Sequence, residues 1–189
     1  MNRRGHPLNL PNVLTLSRIG LIPVFVALFL IEPSPMIALI SAAVFAVASM
    51  TDWLDGYLAR RHQQVTDLGK LLDPIADKVL VLAALVVLVE ADRAPGWLVI
   101  VLLAREFAVT GLRAVAAIDG QIIPADHLGK WKMVAQTAAV LVLILEPALP
   151  SWGHRAGLTL LVAATVLALI SGWNYAAAYR RSLSSASAP

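Results

Sequence analysis

Asp52-Trp-Leu-Asp55-Gly56-Tyr-Leu-Ala59-Arg60, then eight residues, then Gly69-Lys-Leu-Leu-Asp73-Pro74-Ile-Ala-Asp77, is the stretch whose reading decides the fold. It joins two apolar segments, 36–60 and 70–90. Carboxylates beside a bilayer-type segment are costly and usually functional, so something positive must sit among them. On helices, Asp52/Asp55 (i, i+3) and Asp73/Asp77 (i, i+4) are each same-face pairs, with Cβ atoms about 5–6 Å apart. Two such pairs facing one another make an all-oxygen cage suited to a hard divalent cation, Mg²⁺ or Mn²⁺. Pairing of the carboxylates with Arg60, Arg61 and Lys78, or a solvated helix end, is the plainer reading. Salt bridges, however, have no need of Gly56, Ala59 and Gly69 at fixed offsets.

The rest of the chain explains where such a cage would sit. Of 189 residues, 59% are hydrophobic and 14% charged, too apolar for an ordinary soluble domain. Apolar segments can be cut at 12–31, 36–60, 70–90, 95–118, 128–146 and 155–179. Glu32-Pro33-Ser34-Pro35, Asp92-Arg93-Ala94-Pro95 and Glu146-Pro147 to Pro150 read as turns, and Asp119-Gly120 with Pro124 breaks the chain between Val115 and Leu128. Backbone groups in lipid must be satisfied internally, which predicts an all-α, polytopic membrane protein of six transmembrane helices. Residues 1–181 read as one domain and Ser182 to Pro189 as a frayed Ser/Ala tail. Met1 to Pro11 is polar and leads into the first span rather than resembling a cleavable signal. Cysteine is absent, which excludes thiolate chemistry and a Cys-type zinc site. His6, His62, His127 and His154 are scattered and do not suggest a His-based metal site.

Charge placement orients the spans. Arg3, Arg4, Arg60, Arg61, Lys70, Arg113, Lys130, Lys132, Arg180 and Arg181 fall on the N-terminal side, ten in all, against Arg93 and Arg155 on the other. Arg18, Lys78 and Arg105 lie inside apolar segments and do not count. This bias puts both termini and the Asp52–Asp77 region in the cytoplasm. An even number of spans independently requires both termini on one side. Trp97, Trp131 and Trp152 near span ends read as an interfacial belt rather than a base-stacking surface, so no nucleic-acid partner is expected.

A second polar set lies further along. Arg105 and Arg113 are eight residues apart, just over two helical turns, and face nearly the same way. Gly129-Lys130-Trp131-Lys132 with Gln136 adds cations to the next segment. Arg105, Arg113 and Lys130 read as ligands for a phosphate, and Lys132 as an interface anchor that snorkels. A basic set alongside an acidic, metal-type set implies an acceptor that is itself a phosphate ester.

The pattern D-x₂-D-G-x₂-A-R-x₈-G-x₃-D-x₃-D is filled at all eight fixed positions, with a chance expectation on the order of 10⁻¹⁰ per start. The chain therefore resembles the CDP-alcohol phosphotransferases, membrane enzymes that displace CMP from a CDP-linked lipid or alcohol with a hydroxyl. Asn12-Val-Leu-Thr15-Leu-Ser-Arg18, Thr51-Asp52, Ala104-Arg105-Glu106 and Gly129-Lys130-x-Lys132-x₃-Gln136 are most similar to the family's bacterial phosphatidylglycerophosphate synthase branch, with Met133 departing from its usual Thr. The resemblance implies metal ligation by Asp52, Asp55, Asp73 and Asp77, with two ions, and Asp77 as general base. It implies CDP-diacylglycerol bound at Asp55, Gly56, Ala59, Arg60 and Gly69, where Gly56 and Ala59 leave a notch and Gly69 allows a tight loop. Glycerol 3-phosphate would lie at Arg105, Arg113 and Lys130, in a bacterial inner-membrane homodimer. Rival readings are another acceptor (inositol phosphate, serine or phosphatidylglycerol), an intramembrane prenyltransferase, or a cation transporter. A transporter would spread its carboxylates near the midplane of several helices, and a prenyltransferase would have no use for the Gly56–Ala59–Arg60 continuation.

Overall fold

Long apolar runs separated by Pro- and Gly-containing turns give helices, and the computed structural model is built of them. It describes residues 10–62, 67–119 and 127–186, with side chains over 17–51, 78–119 and 127–182. The order is α1 (Leu10–Phe29), α2 (Pro35–His62), α3 (Asp67–Glu90), α4 (Gly96–Ile118), α5 (His127–Ile144), a 3₁₀ turn (Glu146–Ala148) and α6 (Trp152–Ala186), with no strand among the described residues. Helix starts follow local chemistry. Ser34 caps α2, its Oγ accepting from the Ile37 amide at 3.2 Å, with Pro35 as the first helical residue. Beyond α3, Asp92 takes a left-handed backbone (φ 56°), which a short polar side chain tolerates, and extended Pro95 precedes α4.

The chain divides into two compact units, residues 1–91 with 144–150, and residues 92–143 with 151–189. In the first, α1 packs on α2 and α3. Ala38, Ala42 and Ala48 of α2 are buried and small, so α1 approaches closely, and Phe25 of α1 meets Phe45 of α2 at 5.8 Å between ring centroids. Arg18 lies against Ala48 and Phe25 against Phe45, so α1 and α2 are antiparallel.

In the second unit α4 packs on α6. Arg105 meets Ala168 and Ser171, Arg113 meets Tyr175, and Asp119 meets Tyr179. Both numbers rise together, so α4 and α6 run parallel. α5 closes on α6 at Gly157, where an added Cβ would lie 2.6 Å from Leu143 Cδ2.

Two sequence expectations change. The tight loop assigned to Gly69 is helix, because α3 already begins at Asp67. Pro74 is consequently the eighth residue of α3; its missing N–H is tolerated inside apolar helices, as is that of Pro23 in α1. Residues 182–186, read as tail, continue α6, since Ser/Ala sequence extends an existing helix at little cost. Among the described residues one helix, over Trp152–Ser182, is long and apolar enough to cross a membrane, and Ser17–Phe29 and Pro35–Thr51 are shorter apolar helices.

Candidate active site

The acidic residues belong to the first unit. Asp52 and Asp55, with Gly56, Ala59 and Arg60, ride the last three turns of α2, and Gly69, Asp73 and Asp77 the first three turns of α3. Their side chains lie outside the described residues, but both helices are continuous across their pairs, as the spacing requires. An all-carboxylate donor set on consecutive helices suits a hard divalent ion. Among the residues whose side chains are described, no group of three or more His, Cys, Asp or Glu could hold a metal.

The turn leading into Asp52 is unusually well held. Thr51 Oγ1 donates to the Val47 carbonyl at 3.0 Å and to the Ala48 carbonyl at 2.7 Å. Arg18 Nε, reaching across from α1, donates to the same Ala48 carbonyl at 3.2 Å. Within an α-helix that carbonyl also accepts from the amide four residues on, which is Asp52. Arg18 is fully buried, so its charge is withdrawn from solvent beside this turn. Sequence reading set Arg18 aside as a charge within an apolar segment; that isolation was itself the available signal.

The basic residues belong to the second unit, and α6 organises them. Arg105 donates from Nε to the Ala168 carbonyl at 2.7 Å, from Nη2 to Ser171 Oγ at 2.9 Å, and from Nη1 to Glu106 Oε2 at 3.3 Å. Glu106 Oε2 is also 2.5 Å from Lys132 Nζ. Eight residues along α4, Arg113 Nη2 donates to Tyr175 Oη, and its guanidinium carbon lies 4.5 Å from the centre of the same ring.

Lys132 does not snorkel to the surface as sequence suggested. It is 8% exposed and ion-paired, because residues two apart on a helix point about 200° apart and only one of Lys130 and Lys132 can face α4. Lys130 is the exposed one. The structure thus brings together Arg105, Glu106, Lys132 and Ser171, and places Arg113 on Tyr175, while Lys130 stands outside that set. Ser171 and Tyr175 were missed from sequence because nothing in an apolar helix marks a serine or tyrosine as an arginine partner. Among the described residues, Arg105 and Lys132 share the single carboxylate of Glu106.

Glu106→Ala leaves those two cations facing each other without a counter-charge. We expect a loss of about 1–3 kcal/mol, discounted for the 32% exposure of the Glu106 side chain. Thermal unfolding in detergent reads it, and an unchanged midpoint would mean that the ion pairs contribute no stability.

Comparison with known proteins places these features. The sequence model of the CDP-alcohol phosphatidyltransferase family matches residues 8–177. A CDP-diacylglycerol–glycerol-3-phosphate 3-phosphatidyltransferase of Bacillus subtilis (strain 168) is 48% identical over 181 residues, covering 88% of this chain and 93% of that protein. Proteins of the same name from Rickettsia bellii (strain RML369-C) and Salmonella paratyphi A (strain ATCC 9150 / SARB42) are each 39% identical, covering 88% and 93% of this chain and 93% and 97% of their own lengths. With the match running from before α1 into the last turns of α6, and both aspartate pairs inside it on continuous helices, the chain belongs to the CDP-alcohol phosphatidyltransferase family.

Proposed function

We propose that this protein is a phosphatidyltransferase that moves a phosphatidyl group from CDP-diacylglycerol to the sn-1 hydroxyl of glycerol 3-phosphate, releasing CMP. The observation that carries this is near-full-length similarity to relatives that bear the name of that reaction. In the transfer, the hydroxyl oxygen forms a bond to the phosphorus on the diacylglycerol side. The bond from that phosphorus to the bridging oxygen breaks, the oxygen leaving with CMP, and the hydroxyl proton passes to a carboxylate. We assign that proton to Asp77. Asp52, Asp55, Asp73 and Asp77 would hold Mg²⁺ or Mn²⁺, two ions in all, in keeping with the general divalent-metal dependence of the family. Bound there, such ions supply charge neutralisation for the diphosphate and polarise the phosphorus.

The remaining roles fall to fixed positions on the helices. Asp55, Gly56, Ala59, Arg60 and Gly69 bind the cytidine diphosphate end of the lipid. Small Gly56 and Ala59 admit the nucleotide close to the helix backbone, and Arg60 offers a planar fork to phosphate. Arg105, Arg113 and Lys130 bind the phosphate of the acceptor, whose anchoring orients the attacking hydroxyl. Purified protein given CDP-diacylglycerol and a panel of acceptors (glycerol 3-phosphate, inositol phosphate, serine, phosphatidylglycerol) is expected to release CMP with the first. Turnover with another acceptor in its place would overturn the assignment.

The protein is read as a six-span inner-membrane enzyme and a homodimer, with termini and active site cytoplasmic. Support comes from the parallel course of α4 and α6 in the second unit, since helices two apart in an alternating topology run the same way. Large apolar side chains such as Val162, Val166, Leu169 and Ile170 of α6 are also exposed in quantity, as a lipid-facing surface requires. Cysteines placed at Ser34 and Ser151 are expected to react with an impermeant thiol reagent in intact cells, and one at Gln64 to stay protected. The native chain contributes no background cysteine. The reverse pattern would invert the topology.

A further inference from the structure

We infer that one face of α6, formed by Ser171, Gly172 and Tyr175, is a cradle that presets Arg105 and Arg113 and so selects an acceptor carrying a phosphate. The inference rests on the reading of those two arginines as acceptor-phosphate ligands. It adds residues that touch the arginines rather than the acceptor, which makes them positioning residues.

Each arginine is fixed by a different device, and both devices sit on the same helix. Arg105 lies along α6 with its Nε and Nη2 held by the Ala168 carbonyl and Ser171 Oγ, at 2.7 and 2.9 Å. Ser171 is fully buried, so its hydroxyl is a committed partner. The stem of Arg105 fits because residue 172 has no side chain: a Cβ there would lie 3.3 Å from Arg105 Cγ and 3.4 Å from its Nε. Arg113 is held through Tyr175, 3% exposed, which offers both its ring face and its hydroxyl. Ser171, Gly172 and Tyr175 are spaced to share one helix face, and the parallel course of α4 and α6 keeps that face in step with positions 105 and 113.

The chemistry favours selection over simple support. An arginine has five N–H donors, and among the described residues Arg105 engages three, leaving one on each terminal nitrogen. A guanidinium held in this way keeps donors available to an anion in a fixed plane. The ordering of a long, flexible side chain, normally charged against binding affinity, is completed before the acceptor arrives. A neutral alcohol gains nothing from that arrangement, so the benefit is confined to phosphorylated acceptors.

The test uses the full-length protein in detergent, with CMP release followed for glycerol 3-phosphate and for glycerol. Ser171→Ala and Tyr175→Phe each remove one hydroxyl and leave the helix and ring intact. Each is expected to raise KM for glycerol 3-phosphate about 3- to 10-fold, with KM for CDP-diacylglycerol held within about twofold. The preference in kcat/KM for glycerol 3-phosphate over glycerol falls in parallel, and the unfolding midpoint stays close to wild type. Arg113→Ala is the reference. If it raises KM for glycerol 3-phosphate while Ser171→Ala and Tyr175→Phe do not, the cradle is overturned and the phosphate reading stands. If Arg113→Ala itself leaves that KM unchanged, the phosphate reading fails and the cradle with it. A joint rise of both KM values with a lowered midpoint would make these residues structural only, which also overturns the inference.

Discussion

Replacing Asp77 by Asn is expected to lower kcat about 10²- to 10⁴-fold while substrate binding changes far less, because the amide keeps the shape of the side chain but cannot accept the hydroxyl proton. Asp52→Asn, Asp55→Asn and Asp73→Asn remove ligand charge instead, so the divalent concentration needed for half-maximal activity rises in each. EDTA is expected to abolish turnover in the wild type, and Mg²⁺ or Mn²⁺ to restore it. Full activity in chelator would sink the carboxylate cage, and an Asp77→Asn enzyme with wild-type kcat would move the base elsewhere. The two pairs are not equivalent in their surroundings. Asp52 begins where the Ala48 carbonyl, accepting from Arg18 and Thr51, fixes the helix, and Asp77 lies just before the apolar, buried stretch of α3 that contains Leu80, Ala84 and Leu88.

Arg113→Ala and Lys130→Ala carry the second large effect, and it falls on a different parameter. KM for glycerol 3-phosphate is expected to rise about 10- to 150-fold, the equivalent of losing a charge-assisted contact of roughly 1.5–3 kcal/mol. KM for CDP-diacylglycerol moves much less, and some kcat is lost because the anchored phosphate also orients the hydroxyl. Wild-type KM values with lowered stability alone would make both side chains structural. Their environments predict an inequality as well. Arg113 is stacked on Tyr175 and Lys130 is exposed, so Arg113→Ala is expected to cost more.

Most of the helical layout was legible because its signals are local. Segment 95–118 is α4 (Gly96–Ile118), and 36–60 is α2 (Pro35–His62), for which Ser34-Pro35 is a cap written directly into the sequence. That the signature aspartates ride on helices could be read because their spacing is a short-range property of one helix at a time. What failed was register between helices. Lys130 and Lys132 look alike in sequence, and only the packing of the second unit turns Lys132 inward to Glu106. Gly69 and Pro74 suggest a turn to any local rule, yet α3 runs through both because an apolar helix continuing to Glu90 outweighs one missing amide. Partners contributed by α6 to Arg105 are 63 and 66 residues away in the chain, beyond any periodicity argument.

Arg18 couples α1 to a position 30 residues later in the chain. A lone α1 in hydrocarbon would carry a guanidinium near its middle, at a cost of about 2.5–3.5 kcal/mol on insertion scales. The carbonyl that receives its Nε comes from Ala48, 30 residues later. That contact is available to the first helix only when α2 lies beside it. With α2 alongside, the contact closes one turn before Asp52, so the antiparallel pairing of the first two helices and the shape of the backbone entering Asp52 are coupled.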